Sequence, residues 1–199
     1  MKFNGAKTRL SRRLGVALSP KAQRIMEKRP EPPGQHGAST QRRMSDYAIQ
    51  LREKQRLRFQ YNVSERQMRL YFARASRIKG RTGPNLVRLL ETRLDAAVLR
   101  AGFAPTIYAA RQIVGHGHFE VNGKRVTIAS YGLKPGDTFR VRERSKKAQI
   151  FEMDWAAYTP PGYLDRDETT LSPTLVRLPD REEVPITCEE SLVVEFYSR

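Results

Sequence analysis

The chain has 199 residues with 37 Lys and Arg against 21 Asp and Glu, a formal charge of +16. It is long enough for one or two domains with a real core, and no run approaches the ~18 apolar residues of a membrane span. The single cysteine, Cys188, excludes an internal disulfide and a Cys-rich zinc module.

The charge is unevenly placed. Residues 1–90 hold 22 basic and 5 acidic side chains, 91–147 hold 11 and 5, and 148–199 hold 4 and 11. A basic surface is therefore N-terminal and central, and the last quarter is acidic. This balance points to a polyanion, nucleic acid before membrane. Arg outnumbers Lys, as suits phosphate gripping and base stacking.

Residues 1–44 are basic and interrupted by Pro30, Pro32, Pro33, Gly34 and Gly37. They are expected as an extended segment that orders by lying against something else. The acid-poor start has the look of an organelle transit peptide, but it lacks the apolar core of a secretory signal. Ser45 or Asp46 can cap a helix running to about Tyr61, with Tyr47 and Leu51 one turn apart and Arg52, Lys54, Arg56 and Arg58 on other positions. Ser64 and Gln67 have capping-box spacing. Met68, Tyr71, Phe72, Ala75 and Ile78 then form one apolar face, with Arg66, Arg69, Arg74 and Arg77 elsewhere and Gly80 as the stop. Only Glu65 is acidic between Glu53 and Glu91, and so one-sided a coat repels itself unless a partner neutralises it.

Leu86–Arg100 reads as one or two helical segments closed by Gly102, and Thr106 caps a helix over Ile107–Val114. Phe119–Val121 alternates, Asn122-Gly123 makes a type I′ turn, and Val126 and Ile128 resume the alternation. Lys134–Asp137 turns into a strand over Thr138–Glu143. Residues 156–190 are Pro-rich, acidic and expected to be irregular; Leu192–Tyr197 suits a last strand or packed segment.

The chemistry is thin. His116 and His118 could edge a metal site on extended backbone, but only His36, Cys188 and carboxylates remain to complete it. Cys188-Glu-Glu raises a thiol rather than activating it. Asp95, two residues after Arg93, suits a structural partner better than a general base. No G-x-S-x-G, phosphate loop or paired-carboxylate motif is present. Interleaved cations and aromatics, Arg56–Arg58–Phe59–Tyr61 and Arg69–Tyr71–Phe72–Arg74, are the materials of phosphate contact and base stacking. A folded RNA read by shape fits better than a DNA sequence.

The stretches "PGQHG" (33–37), "SDYAIQLREKQRLRFQYNVSERQMRLYF" (45–72), "RLDAAVLRAGFAPTIYAARQIVGHGHFEVNGKRVTIASYGLKPGD" (93–137) and the terminal "LVVEFYSR" resemble the bacterial-type small-subunit ribosomal protein S four family, in order and over nearly the whole chain. The match weakens over 148–190. Residues 93–143 alone also resemble modules of pseudouridine synthases and some tRNA synthetases, so an RNA-modifying enzyme is the main alternative; a DNA-compacting protein is a third.

The resemblance implies an α+β protein in four parts: an extended basic segment (1–44), a helical RNA-binding domain (45–91), a small helix-helix-hairpin RNA-binding module (92–155) and an acidic, largely irregular segment (156–199) returning to the helical domain. It implies a cytoplasmic, non-enzymatic constituent of the small ribosomal subunit. Such a protein binds small-subunit ribosomal RNA directly, nucleates assembly of the subunit body and contributes to translational accuracy with ribosomal protein S five. Other small-subunit proteins and messenger RNA, where it enters the subunit, are further implied partners; membrane, cofactor, metal and small-molecule substrate are not.

The RNA-contacting positions it implies begin with Arg9, Arg12 and Arg13 of "TRLSRR", then Gln35, His36, Arg42 and Arg43. Tyr47, Arg52, Lys54 and Arg56 follow on the first helix, Arg66, Arg69, Arg74 and Arg77 on the second, and Lys79 and Arg81 after it. The small module adds Arg93, Arg111, Gln112, His116, Lys124, Arg125, Ser130 and Tyr131. His116 can contact RNA or cap the helix end. Some relatives bind zinc through N-terminal cysteines; this chain has none there, so its first forty residues must be held by RNA, by docking on the helical domain, or by both.

Overall fold

The structure, a computed structural model, describes residues 3, 5–37, 44–148, 151, 158–167 and 172–199. It is α+β and divides into two compact units, residues 1–86 with 186–199, and residues 87–185. The boundary falls inside one helix, and the acidic C-terminal quarter is shared between the units.

In the first unit the N-terminal segment is not extended. It forms α1 (Lys7–Leu14) and α2 (Pro20–Lys28). Ser19 Oγ accepts a hydrogen bond from Ala22 N and Pro20 opens α2 with its fixed φ, a pairing that starts a helix wherever its apolar side can be covered. Leu14, Val16, Leu18 and Ala22 are buried, and the buried Ser11 Oγ receives Leu18 N. The segment docks on α3 (Asp46–Gln60), where Arg56 Nε donates to Leu14 O at 2.6 Å.

Ser45 and Ser64 cap α3 and α4 (Glu65–Ala75), accepting from Ala48 N and Gln67 N. Helix α4 stops earlier than its apolar spacing suggests: Arg77 and Ile78 bond three residues back, to Arg74 O and Ala75 O, and this tightened turn leaves Ile78 exposed. Helix α5 (Thr82–Glu91) crosses from the first unit into the second.

The C-terminal stretch is a helix, α9 (Glu190–Tyr197), rather than a strand, and it packs along α3. Gln50 Nε2 donates to Glu195 Oε2, Gln60 exchanges two hydrogen bonds with Thr187, and Tyr197 OH donates to Glu65 Oε1. Phe72 and Tyr197 rings lie 5.0 Å apart.

The second unit builds one core around α6 (Leu94–Arg100), α7 (Ile107–Gly115) and a three-stranded antiparallel sheet in the order β2-β1-β3. Thr106 Oγ1 caps α7 from Ala109 N. Strands β1 (Phe119–Val121) and β2 (Lys124–Val126) are joined by Asn122 and Gly123, both at positive φ as a type I′ turn requires. Asn122 also ties this turn to the approach to β3 (Phe139–Val141): its Oδ1 accepts from Thr138 N and its Nδ2 donates to Asp137. A single turn of helix, α8 (Glu143–Lys146), follows.

Part of 156–190, expected as irregular, is a hairpin of β4 (Leu164–Asp167) and β5 (Ser172–Leu175). Its strands are too short, and β5 too marked by Pro173, to show a periodic pattern. Tyr163, Leu164 and Leu175 belong to the core with Phe103, Phe119 and Phe139. The backbones of Gly136 and Asp137 bond Leu175 on both sides.

The clamp of α9 on the first unit has a pH signature. Burial pushes the Glu65 carboxyl up, but hydrogen bonds from Lys54 and Tyr197 and the charges of Lys54 and Arg58 outweigh it and hold it below its ordinary range. A depressed carboxylate stabilises fully above its unfolded pKa of about 4.3, and that stabilisation is lost as pH falls through the lower folded value. Tyr197→Phe is expected to cost roughly 1–2 kcal/mol at pH 7 and clearly less at pH 3, read by urea unfolding.

Candidate nucleic-acid interface

The first unit sorts its cations by what α3 packs against. With α1 on one side and α9 on the other, α3 turns polar residues inward. Lys54 is 5 % exposed; its Nζ meets Glu65 Oε2 at 2.9 Å and lies over the Phe196 ring. Arg56 pairs with the buried Glu53 at 2.6 Å, and Glu53 also accepts from Glu189 N. Lys54, expected on an RNA-facing surface, is therefore an internal fastener, and Arg56, expected there too, is half-buried and tied to Glu53 and Leu14 O. Arg52 is half-buried, and its enclosed Nε has no hydrogen-bond partner among the described residues. Tyr47 is half exposed and lies 5.8 Å from Phe196.

The rest of the expected set is on the surface. Arg66, Arg74, Arg77, Lys79 and Arg81 are exposed, with no carboxylate at ion-pair distance among the described residues. Arg69 is exposed and only 3.7 Å from Glu65. Arg9 and Arg13 are exposed one turn apart on α1, while Arg12 Nε donates to Glu31 O at 3.0 Å. Gln35 and His36 sit exposed in a turn. Arg42 and Arg43 lie outside the described residues.

The second unit carries two clusters. In one, Asp95 is wholly buried and holds two arginines: Arg93 Nε and Nη2 reach its two oxygens at 2.9 and 2.5 Å, and Arg111 Nη1 reaches Oδ2 at 2.6 Å. Arg93 is 2 % exposed, so it too is an internal group and not a surface contact. The loop after β2 crosses this spot, Leu94 N donating to Tyr131 O and Asp95 N to Ala129 O. That places exposed Ser130 and Tyr131 over a fixed base. Gln112 is exposed on α7.

The other cluster lies where α7 meets the hairpin. His116 is exposed and its ring stands 6.0 Å from that of His118. The Arg125 guanidinium lies over Gly117, and Arg142 Nη1 reaches Gly117 O at 3.4 Å. His118 Nδ1 is paired with Ser145 Oγ at 2.9 Å. Burial first, then the charges of His116, Arg125 and Arg142, hold the His118 imidazole below its ordinary pKa. Lys124 is exposed on the hairpin. Arg142 was not among the expected RNA-binding positions. Its signal was the alternation of β3, which sends Phe139 and Val141 into the core and Arg140 and Arg142 the other way. Among the described residues no group of three or more metal-type ligands comes together.

Two family models match the chain. Residues 2–91 match the Ribosomal protein S4/S9 N-terminal domain and residues 92–139 match the S4 domain. The small ribosomal subunit protein uS4 of Micrococcus luteus is 54% identical over 197 residues, covering 96% of this chain and 95% of the relative. The chain belongs to the uS4 family. Other uS4 proteins agree as fully: that of Leifsonia xyli subsp. xyli is 51% identical, covering 97% and 96% of the two chains, and that of Staphylococcus carnosus 50%, covering 99% and 98%.

Within this uS4 chain, internal and exposed cations should separate by experiment. Asp95→Ala, which strands the buried Arg93, is expected to destabilise by about 3–5 kcal/mol. Arg125→Ala, at an exposed position, should stay within about 0.5 kcal/mol. Chemical denaturation of the two variants beside the parent chain reads the contrast.

Proposed function

We propose that this chain is a structural constituent of the small ribosomal subunit that binds small-subunit ribosomal RNA directly, in the cytoplasm and without catalysis. The observation that carries the reading is the sorting of charge. Acidic partners are drawn inside, to Lys54, Arg56, Arg93 and Arg111, while Arg66, Arg74, Arg77, Lys79, Arg81, Lys124 and Arg125 are presented outward. Relatives 50–54% identical to this chain over nearly its full length are named small ribosomal subunit proteins.

On this reading α4 and the turn after it supply phosphate contacts, and so does the α7–hairpin junction with His116, Lys124 and Arg125. Tyr131 and Ser130, held over the Asp95 pair, suit contact with an RNA groove or an unstacked base. Binding nucleates assembly of the subunit body. Ribosomal protein S five is the protein neighbour, through which the chain contributes to accuracy, and messenger RNA passes nearby as it enters. An RNA-modifying enzyme would need a catalytic domain with a positioned carboxylate, and the match of residues 2–91 to a ribosomal N-terminal domain favours the ribosomal reading instead.

Six to ten phosphate contacts make affinity for small-subunit RNA fall about 10³–10⁵-fold between 50 and 200 mM salt. Replacing Arg66, Arg74 and Arg77 together by Gln should reduce the slope of log affinity against log salt by about one for each phosphate that is no longer neutralised, and Lys54→Gln should leave it unchanged. Filter binding across a salt series measures both. A flat salt dependence overturns the reading.

A further inference from the structure

A groove of about 620 Å³ lies in the first unit between α1 and the turn that follows α2. Phe3, Ala6 and Leu10 form one wall and Pro32 and Pro33 the other, with Arg9 and Arg13 beside them. We infer that this groove takes one unpaired base of a bound RNA, stacked against the Phe3 and proline surfaces, with its flanking phosphates on Arg9 and Arg13. The inference rests on the RNA-binding reading and adds to it a defined subsite.

Contacts on both sides hold the groove in shape. Arg12 Nε donates to Glu31 O at 3.0 Å and fastens the Pro32–Pro33 wall to α1. The wall continues into the turn "PGQHG", which folds back so closely that a Cβ on Gly37 would lie 1.9 Å from Pro32 O. Gly37 N donates to Gly34 O across the same turn. Glycine is thus required at 37 for the turn to shut. The opposite wall is held as well: the Phe3 ring meets Phe59 edge-on at 5.4 Å, and the Arg58 guanidinium lies over Phe59 at 4.3 Å.

The lining decides the occupant. Phenylalanine and proline present flat apolar faces that accept any base, whereas a buried peptide side chain would gain nothing from two arginines at the rim. Arg9 and Arg13 are exposed, one helical turn apart on the same face, with no carboxylate at ion-pair distance among the described residues. A base with phosphates on either side matches both the apolar floor and the paired cations. A fully paired duplex cannot offer a base to it.

The test uses the full chain bound to small-subunit ribosomal RNA carrying 4-thiouridine. Irradiation should attach unpaired uridine to residues 3–13 or 32–33. Phe3→Ala should lower that yield and weaken binding roughly 5- to 150-fold, the range one stacked base carries. Gly37→Ala, which must open the turn, should lose the adduct while adducts in the second unit persist. If the chain binds the RNA but adducts in these stretches are absent or fall on paired nucleotides, or if both variants crosslink as the parent does, the groove assignment is wrong and RNA binding stands. If the parent chain does not bind the RNA at all, the broader reading fails first.

Discussion

The structure depends on where its carboxylates go. Of the ten acidic residues before position 148, Glu53, Glu65, Glu91 and Asp95 turn inward and each engages a basic side chain: Arg56, Lys54, Arg100 and the pair Arg93 and Arg111. An ion pair taken out of water gains little net stability unless its geometry is good and its remaining hydrogen bonds are made. Here they are. Glu91 accepts from Tyr163 OH as well as Arg100, Asp95 accepts from Ala96 N, and Glu65 accepts from Tyr197 OH. The burial raises the Tyr163 phenol far above its ordinary range, aided by the charge of Glu91. These pairs fix which segments meet within each unit. They also take acid away from the surface, so the outer arginines face solvent with little of their own chain to neutralise them.

That arrangement links fold to function. A surface of one sign repels itself, and the cost is offset when a polyphosphate chain displaces its counterions and takes up the charge. The exposed cations and aromatics lie on pieces whose backbones are pinned: α4 through Glu65, the Ser130–Tyr131 loop through Leu94 and Asp95, and the hairpin through Asn122. Side chains mounted on fixed backbone lose less freedom on binding than side chains on loose coil. The acidic end has a structural share in this. Its β4–β5 hairpin supplies core to the second unit, and α9 closes the first unit over α3.

Much of this was legible in the sequence, and the failures have physical causes. Caps at Ser45, Ser64 and Thr106 and the Asn122-Gly123 turn are local chemistry, and each stands where the residues imply. The helices at 7–14 and 20–28 were hidden because their apolar residues are few, and their order comes from docking against α3 and from Arg56. Lys54, Arg56 and Arg93 read as surface cations because spacing cannot reveal a buried carboxylate partner. For Arg93 the clue was Asp95 two residues on, and for Lys54 it was Glu65, the lone acid in a basic stretch. The α9 helix was obscured by Val193, Val194, Phe196 and Tyr197, residues of high strand propensity whose conformation is set by packing on α3. The exposure of Arg66 and Arg74 was legible because no carboxylate lies at ion-pair distance from either among the described residues.

The most direct test of the central claim is where the folded chain resides in a cell extract. Sedimentation through a sucrose gradient at moderate salt, with the protein followed by immunoblot, should place it with small ribosomal subunits, and stripping the subunits with high salt should release it intact. Recovery of the folded protein in the light fractions at moderate salt, away from any ribosomal RNA, would contradict the account.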